Sequence, residues 1–319
     1  MSVIDPNMDG EPLSPESTED NFIPGDLSKL TAYRSSSMLT RFFCTTCSAH
    51  MFFRSNVQTE TDNNTPASWT VMWGVLEKTD GIITIESHIF VGDTLDGGIA
   101  DHIPSFAGKP IRRLKGWKEG NTEELALGWK AGEGYKNPET LPAYCHCKNV
   151  SFNIARATKP SDNPAEYWLV PGKEPTDPIR FITAHCLCND CRLCSGSQIQ
   201  TWTIVPNELV LDPVTQAPIN LVEPSKRPKG LKQYVSSDGK HRESCGTCGA
   251  TVFWWRGMKE GESGHMDVAT ALIDQAAAGG ARAESWISWY NKVIFKDSAL
   301  SADVSNALEE GVKAATATA

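Results

Sequence analysis

The chain has 319 residues, of which 40% are hydrophobic and 22% charged, a composition typical of a globular protein. Its net charge of −9 disfavours a general affinity for nucleic acid or anionic lipid, and no apolar run is long enough to cross a membrane. Residues 1–20 are acidic and lack the apolar stretch of a secretory signal. We therefore expect an intracellular, cytoplasmic protein whose thiols stay reduced.

An internal repeat organises the chain. Residues 33–52 align without a gap with residues 234–253, at a constant offset of 201, and nine of the twenty positions are identical. Weaker similarity follows at residues 71–76 and 268–273, and then at 89–90 and 294–295. Only 43 residues precede Cys44, whereas 100 residues separate Cys145 from Cys245. The first copy therefore lacks a front half.

These observations divide the chain into five segments. In chain order we predict a disordered acidic tail over 1–26, an incomplete back-half unit over 27–118, a linker over 119–140, a complete unit over 141–300, and a C-terminal helix and tail over 301–319. Alternating or β-rich sequence predicts strands over 70–75, 81–91, 149–154, 199–205 and 251–255. Helices are expected only over 283–289 and 302–315. The expected fold class is mainly β, with few short helices.

Ten cysteines give the sequence its strongest signal. They are Cys44, Cys47, Cys145, Cys147, Cys186, Cys188, Cys191, Cys194, Cys245 and Cys248. Each has another cysteine two or three positions away, and a disulfide between such near neighbours would close too small a loop to constrain the chain. Two thiolates on one short turn form half of a tetrahedral site, so the spacing predicts metal binding.

The order of cysteines in the complete unit is specific. It reads Cys145-His146-Cys147, then Cys186-Leu187-Cys188-Asn189-Asp190-Cys191, then Cys245-Gly246-Thr247-Cys248. Together with the segments at 195–197, 234–237, 281–284 and 293–297, this order resembles the glutathione-dependent formaldehyde-activating family, which includes centromere protein V. The similarity covers nearly all of 141–300. It implies a zinc-stapled, twisted β-sheet called a β-tent, and the whole chain resembles a fungal-type tandem protein with a truncated first unit.

The resemblance also implies two zinc ions per chain. The first would be shared by Cys145, Cys147, Cys245 and Cys248, and the second would be bound by Cys186, Cys188 and Cys191. A closed four-thiolate site leaves no ligand position for chemistry and would be structural, whereas three thiolates leave a fourth position open for water or a thiol.

The implied activity is that of a carbon–sulfur lyase acting on the thiol adduct of a small aldehyde or related electrophile, with glutathione as the thiol donor. Its catalytic residues would be Cys186, Cys188, Cys191 and Arg192. The guanidinium of Arg192 would hold a substrate carboxylate or orient the site, and its alternative role is that of a surface charge. A small-molecule thiol adduct is the expected partner, without nucleic acid or membrane, and a homodimer is compatible with the sequence.

Several alternatives stay open at this point. Cys194 extends the triplet and could close the second site, or it could be a buried, small apolar residue. Lys148 stands where the family usually has glycine, which affects the turn after the first cysteine pair. Replacement of Cys245 and Cys248 by Cys44 and Cys47 as ligands is disfavoured by the continuous similarity over 141–300.

Two other functions also compete with the lyase. One is a non-catalytic, zinc-stabilised interaction protein, in which the truncated unit and Cys194 both mark lost activity. The other is an enzyme of fungal secondary metabolism, which would use the same scaffold for a larger substrate. The secondary-metabolism enzyme would keep the open zinc site, whereas the interaction protein does not require it.

Overall fold

The structure is a computed structural model that describes residues 26–55, 68–117, 122–132, 138–161, 163, 166–257 and 264–317. Within these residues the protein is mainly β, with open sheets and three α-helices. The helices are α1 (Asn189–Ser195), α2 (Gln275–Ala278) and α3 (Ala302–Ala317). None of the described helices combines the length and the apolar character that crossing a membrane requires.

The strands are short. In chain order they are β1 (Leu30–Arg34), β2 (Leu39–Cys44), β3 (His50–Ser55), β4 (Trp69–Val71), β5 (Ser87–His88), β6 (Ser105–Phe106), β7 (Lys109–Pro110), β8 (Arg112–Arg113), β9 (Thr140–Tyr144), β10 (Ser151–Ala155), β11 (Leu169–Val170), β12 (Arg180–Cys186), β13 (Gln200–Pro206), β14 (Val210–Leu211), β15 (Leu231–Ser237), β16 (Lys240–Cys245), β17 (Thr251–Arg256), β18 (His265–Ala269) and β19 (Ile287–Trp289).

The largest sheet has eight strands. Its order is β11-β12-β13-β18-β17-β16-β15, and β19 pairs in parallel with β12. A second sheet, in the order β14-β10-β9, packs against it, and the rings of Phe152 and Phe253 lie 4.8 Å apart in the core between them. Alternate residues of β9 and β10 are buried, as expected for strands with one face on a core. This arrangement places the ends of β9, β12 and β16, where the cysteines lie, around one core.

The repeated segments form equivalent strands. β1, β2 and β3 are antiparallel neighbours, and so are β15, β16 and β17, whose first residues all lie 201 positions later. The pairing shifts after Phe42 in the first copy and after Glu243 in the second, which are also 201 positions apart. The internal repeat therefore extends to strand register.

The two copies pack against each other in a nearly symmetric way. Ser244 donates a hydrogen bond of 2.7 Å to Ser48, and the α-carbon of Gly249 lies against the ring of Phe43. The repeat matches Phe43 with Ser244 and Ser48 with Gly249, so exchanging the copies exchanges the two contacts. This is the pattern of a two-fold interface between like subunits.

A second core joins the first copy to the end of the chain. Buried residues from the segment before residue 118, from α3 and from the complete unit share this cluster; they include Ile103, Ile111, Leu187, Val304 and Leu308. Leu125, in the predicted linker, is also buried and packs with Val91 and Ala100. Packing of the first copy against the complete unit is therefore extensive.

Some predicted elements differ from the structure. The terminal helix is confirmed as α3, but the predicted helix over 283–289 is wrong because β19 pairs there with β12. The predicted strand over 81–91 is reduced to β5, and residues 73–75 form a 3-10 turn after β4. The tail predicted over 1–26 lies, except for Asp26, outside the described residues.

Candidate metal sites

Four cysteines converge where β9 and β16 end. Cys145 and Cys147 follow β9, whereas Cys245 ends β16 and Cys248 lies in the turn to β17. The sulfur of Cys147 lies 3.5 Å from that of Cys145 and 3.6 Å from that of Cys245, and all four sulfurs lie within 4.8 Å of one another. None of the four is in a disulfide. The group could hold a metal ion.

Backbone hydrogen bonds close the two turns that carry these sulfurs. The N–H of Cys145 donates to the carbonyl of Val150 at 3.0 Å, and the N–H of Cys245 donates to that of Ala250 at 2.8 Å. Each turn ends in a left-handed residue, which is Gly249 in one turn and Lys148, with φ of 60°, in the other. Lysine thus adopts a conformation that favours glycine, so the turn geometry is kept despite the unusual residue.

Three further cysteines form a second group at the end of β12. Cys186 ends this strand, Cys188 caps α1, and Cys191 lies in the first turn of that helix. The N–H of Cys191 donates to the sulfur of Cys188 at 3.4 Å, which fixes the loop between them. In the part of the chain that the structure describes, no fourth His, Cys, Asp or Glu ligand joins this group. The group could hold a metal ion with one coordination position left open.

Hydrogen bonds among the thiols favour a thiolate in each group. The pKa of Cys188 is lowered by hydrogen bonds from the thiols of Cys186 and Cys191. In the four-cysteine group, the thiol of Cys248 donates to Cys245 and lowers the pKa of Cys245 to about 4. Because metals bind thiolates rather than thiols, both groups have negative charge available for a cation.

Nitrogen donors surround Cys191. Its sulfur lies 3.4 Å from Nε1 of Trp202 and 3.8 Å from both terminal nitrogens of Arg242. Both residues lie on strands of the main sheet, β13 and β16. Sequence reasoning missed these two side chains, and the only signal for Arg242 was its identity with Arg41 in the repeat.

Cys194 lies on α1 but outside the three-cysteine group. Its side chain is half-buried, and burial raises the pKa of its thiol to about 11, although the charge of Arg242 opposes the shift. Of the two alternatives, the structure therefore favours a neutral, partly buried thiol over a fourth ligand.

Arg192 is engaged by the first copy. Its guanidinium donates to the carbonyls of Gly74 and Leu76, at 2.7 and 3.0 Å, and to the side chain of Asn189 at 2.9 Å. These bonds connect α1 to the segment that follows β4. The predicted role of Arg192 in holding a substrate carboxylate stays a prediction, and the observed contacts give it a role in joining the two copies.

Two histidines adjacent to cysteines point away from the metal groups. His185 is buried, bonded to His102 at 3.0 Å and to Thr201 at 2.8 Å. His146 accepts or donates a 2.7 Å hydrogen bond with the hydroxyl of Tyr33, from the first copy. Neither histidine belongs to a ligand group among the described residues. For His185, on β12, this is expected because neighbours in a strand point to opposite faces, whereas His146 lies in the turn after β9.

The sequence matches no protein-family model and no curated protein. The resemblance stated above therefore rests on the residues quoted for it. What the structure adds is geometric: among the described residues, all seven predicted metal ligands fall into two groups, in the predicted combination.

Proposed function

We propose that this chain is a zinc protein of the glutathione-dependent formaldehyde-activating type, with a structural and a catalytic zinc site in the unit over 141–300. The truncated first copy would make it a fungal-type tandem protein, with the zinc-stapled β-tent as the fold of the complete unit. The cysteine order and the equivalent strands of the two copies support this proposal. Its dependence on reduced thiols makes the cytoplasm the expected location.

The cysteine groups fit zinc. A tetrahedral zinc ion with Zn–S distances of about 2.3 Å has sulfurs about 3.8 Å apart. The sulfur separations of 3.5 and 3.6 Å around Cys147 are close to that value, and they are too long for disulfides. A donor set of thiolates alone also favours zinc over magnesium or calcium, which prefer oxygen ligands.

The observation that carries the proposal is the three-cysteine group without a fourth protein ligand among the described residues. A zinc ion bound there would supply a Lewis acid and lower the pKa of a bound thiol or water. Cys186, Cys188 and Cys191 would hold it, while Trp202 and Arg242 keep Cys191 oriented through its sulfur.

The proposed reaction breaks or forms one carbon–sulfur bond. In the lyase direction, the hydroxyl of a thiohemiacetal loses its proton, the oxygen forms the carbonyl, and the thiol leaves as a thiolate that is then protonated. Glutathione is the proposed thiol, and formaldehyde or a similar small aldehyde is the proposed carbonyl compound. In the reverse direction, the thiolate adds to the carbonyl carbon and the resulting alkoxide takes up a proton.

Metal analysis and kinetics test the proposal together. We expect two zinc ions per chain, with X-ray absorption showing a light-atom ligand at one of them. Adduct formation from glutathione and formaldehyde should be faster with the protein than without it. Cys191→Ser should abolish the acceleration, and Cys44→Ser, outside both groups, should keep it. All-sulfur coordination at both sites, or no acceleration, would rule out the lyase.

A non-catalytic, zinc-stabilised interaction protein is the second candidate. It is favoured by the burial of Cys186 and Cys191, each at most 5% exposed, and by the engagement of Arg192 with the first copy. In that case both zinc ions would be structural, and glutathione would not change the coordination seen by X-ray absorption. Appearance of an additional sulfur ligand on adding glutathione would reject it.

A further inference from the structure

We propose that Arg242 is the positioning residue that balances the charge of the three-cysteine site, an inference that rests on the proposed zinc function. Arg242 lies on β16, and its side chain is only 7% exposed. Both of its terminal nitrogens lie 3.8 Å from the sulfur of Cys191. It reaches this sulfur, which belongs to α1, from a strand 51 residues further along the chain.

The charge of the site explains why an arginine is needed. A divalent ion on three thiolates has a net charge of −1, and a buried net charge is costly unless an opposite charge lies close to it. The sulfur of Cys191 is buried and therefore poorly solvated by water. A guanidinium stays protonated in proteins and supplies a permanent positive charge at this position.

Arg242 is bound differently from the buried Arg282 and the half-buried Arg227. Arg282 donates to the carboxylates of Asp101 and Glu284 at 2.9 and 2.8 Å, and Arg227 forms a close ion pair with Glu243. The carboxylate of Asp190, in contrast, is exposed and lies 3.9 Å from the nearest nitrogen of Arg242, beyond hydrogen-bond distance.

The remaining nitrogen strengthens the case. Nε of Arg242 is buried and has no hydrogen-bond partner among the residues that the structure describes. A buried arginine placed for stability alone would be expected to satisfy such donors. The carboxyl of Asp267 on β18 also lies near enough for the charge of Arg242 to lower its pKa, against the larger raising effect of burial. The guanidinium is therefore held between the cysteine group and acidic residues, with its terminal nitrogens directed at sulfur.

The internal repeat provides a comparison within the same chain. Arg41 occupies the position equivalent to Arg242, on β2. No cysteine precedes Cys44 in the sequence, so no triplet lies on the N-terminal side of this copy. The strand pairing also differs in charge. Thr70 lies opposite Phe53 in the first copy, whereas Asp267 lies opposite the equivalent residue, Trp254, in the complete unit. Arg41 is thus a matched arginine without a metal group to balance.

The test compares Arg242→Gln, Arg242→Lys and Arg41→Gln by chelator competition with zinc. We expect Arg242→Gln to weaken one of the two zinc ions by about 10- to 100-fold, the range seen when residues that orient metal ligands are lost. Arg242→Lys keeps the charge and should recover part of this loss. Arg41→Gln should bind both ions as the parent does.

Alkylation of cysteines followed by mass spectrometry identifies the weakened site. In Arg242→Gln, at limiting zinc, Cys186, Cys188 and Cys191 should become reactive while the four-cysteine group stays protected. Unchanged affinity in Arg242→Gln would overturn the inference and leave the proposed function intact. Simultaneous exposure of both groups in both Arg242 variants would also overturn it, because the arginine would then be structural. A parent chain without a second zinc ion would reject the inference and the proposed function together.

Discussion

At the scale of single residues, the two cysteine groups differ in the length of chain that a metal would connect. Cys145 and Cys245 are 100 residues apart, whereas the triplet spans only residues 186–191. A metal that links distant segments offsets a large loss of chain entropy on folding, and one held by a six-residue segment does not. The same ligand chemistry therefore has different consequences for stability at the two sites.

This difference predicts how cysteine variants fail. Cys145→Ser should lose one zinc ion and unfold or aggregate, since structural zinc sites contribute about 10–16 kcal/mol of apparent binding free energy. Cys191→Ser should stay folded, with weakened metal at the second site and no lyase activity. Circular dichroism, melting and zinc content would separate the two outcomes. A Cys145→Ser variant with the melting temperature of the parent would show that the four-cysteine site is not structural.

Asp267 makes stability depend on pH. Burial raises the pKa of its carboxyl to about 7, with Arg242 opposing the shift, from an ordinary value of 3.8. The folded chain therefore holds this proton more tightly than the unfolded chain does. Its favourable contribution is complete below pH 3.8 and is lost as pH rises through about 7.

Asp267→Asn should remove this pH dependence. As the pH rises from 5 to 8, the free energy of unfolding of the parent should fall by roughly 2–4 kcal/mol relative to that of the variant. The reason is that only the parent must ionise a buried carboxyl. Urea denaturation of zinc-saturated protein at several pH values measures the difference. Asp238→Asn, at an exposed turn, is the control and should follow the parent. If the free energy of unfolding changed with pH in the same way for Asp267→Asn and the parent, the raised pKa of Asp267 would be contradicted.

At the scale of elements, α3 is fixed by close backbone contact. Gly311 lies on the buried face of this helix, and a β-carbon placed there would lie 2.2 Å from the carbonyl oxygen of His102. That distance is far below van der Waals contact, and the obstacle is backbone rather than a movable side chain. The helix can approach residues 98–102 only because position 311 has no side chain.

Gly311→Ala should therefore destabilise the protein, although alanine favours helix by about 1 kcal/mol over glycine. We expect a loss of about 2–4 kcal/mol in the free energy of unfolding, from displacement of α3 out of the second core. Asn306→Ala, at an exposed position of the same helix, should be neutral or slightly stabilising. Denaturant midpoints measure both variants, and equal midpoints would mean that α3 is not packed as described.

Elements determined by local sequence or by the repeat could be predicted. The repeat at offset 201 anticipated that β1–β3 and β15–β17 are equivalent, and the amphipathic pattern after residue 301 anticipated α3. The segment over 283–289 has a locally helical pattern, yet Ile287–Trp289 pairs with Phe181–Thr183 more than 100 residues away. Long-range pairing overrides local preference there, and a single sequence does not show the partner strand.

The same reasoning applies to the site. Cysteine spacing predicted metal binding, and the family resemblance implied which cysteines share a metal; among the described residues the sulfurs form those two groups. Arg242 and Trp202 contact Cys191 through the sheet, from positions 51 and 11 residues away. Nothing in their local sequence distinguishes them from ordinary strand residues, so their contribution appears only in the folded chain.

At the scale of the whole molecule, the two copies of the repeated segment meet through a pair of contacts that are related by the repeat. These are the contacts at Ser48 and Gly249, and they follow a two-fold pattern. Buried charges also hold the first copy against the complete unit. Asp96 accepts a hydrogen bond of 2.8 Å from the backbone N–H of Arg282, and Asp101 accepts one of 2.9 Å from the guanidinium of Arg282. The first copy is thus held by packing and ion pairs that do not involve its cysteines.

This organisation determines what Cys44 and Cys47 contribute. Both are half-buried, and among the described residues neither belongs to a group that could hold a metal ion. Their turn is supported by the backbone, since the N–H of Cys44 donates to the carbonyl of Ala49 at 2.8 Å and that of Ser48 to the carbonyl of Cys44 at 3.0 Å. Two thiolates completed by water bind zinc much less firmly than four.

We therefore expect two zinc ions per chain, with Cys44 and Cys47 free or weakly bound to metal. Replacing both with serine should cost less than about 1 kcal/mol, because each thiol is only partly buried and the turn keeps its backbone hydrogen bonds, although the N–H of Thr46 also donates to the sulfur of Cys44 at 3.4 Å. Native mass spectrometry of the parent and melting of the double variant are the measurements. The single variant Cys145→Ser is the contrasting control, since it should lose both zinc and stability. A third tightly held zinc ion in the parent, or collapse of the double variant, would instead imply that a partner chain completes a site at Cys44 and Cys47.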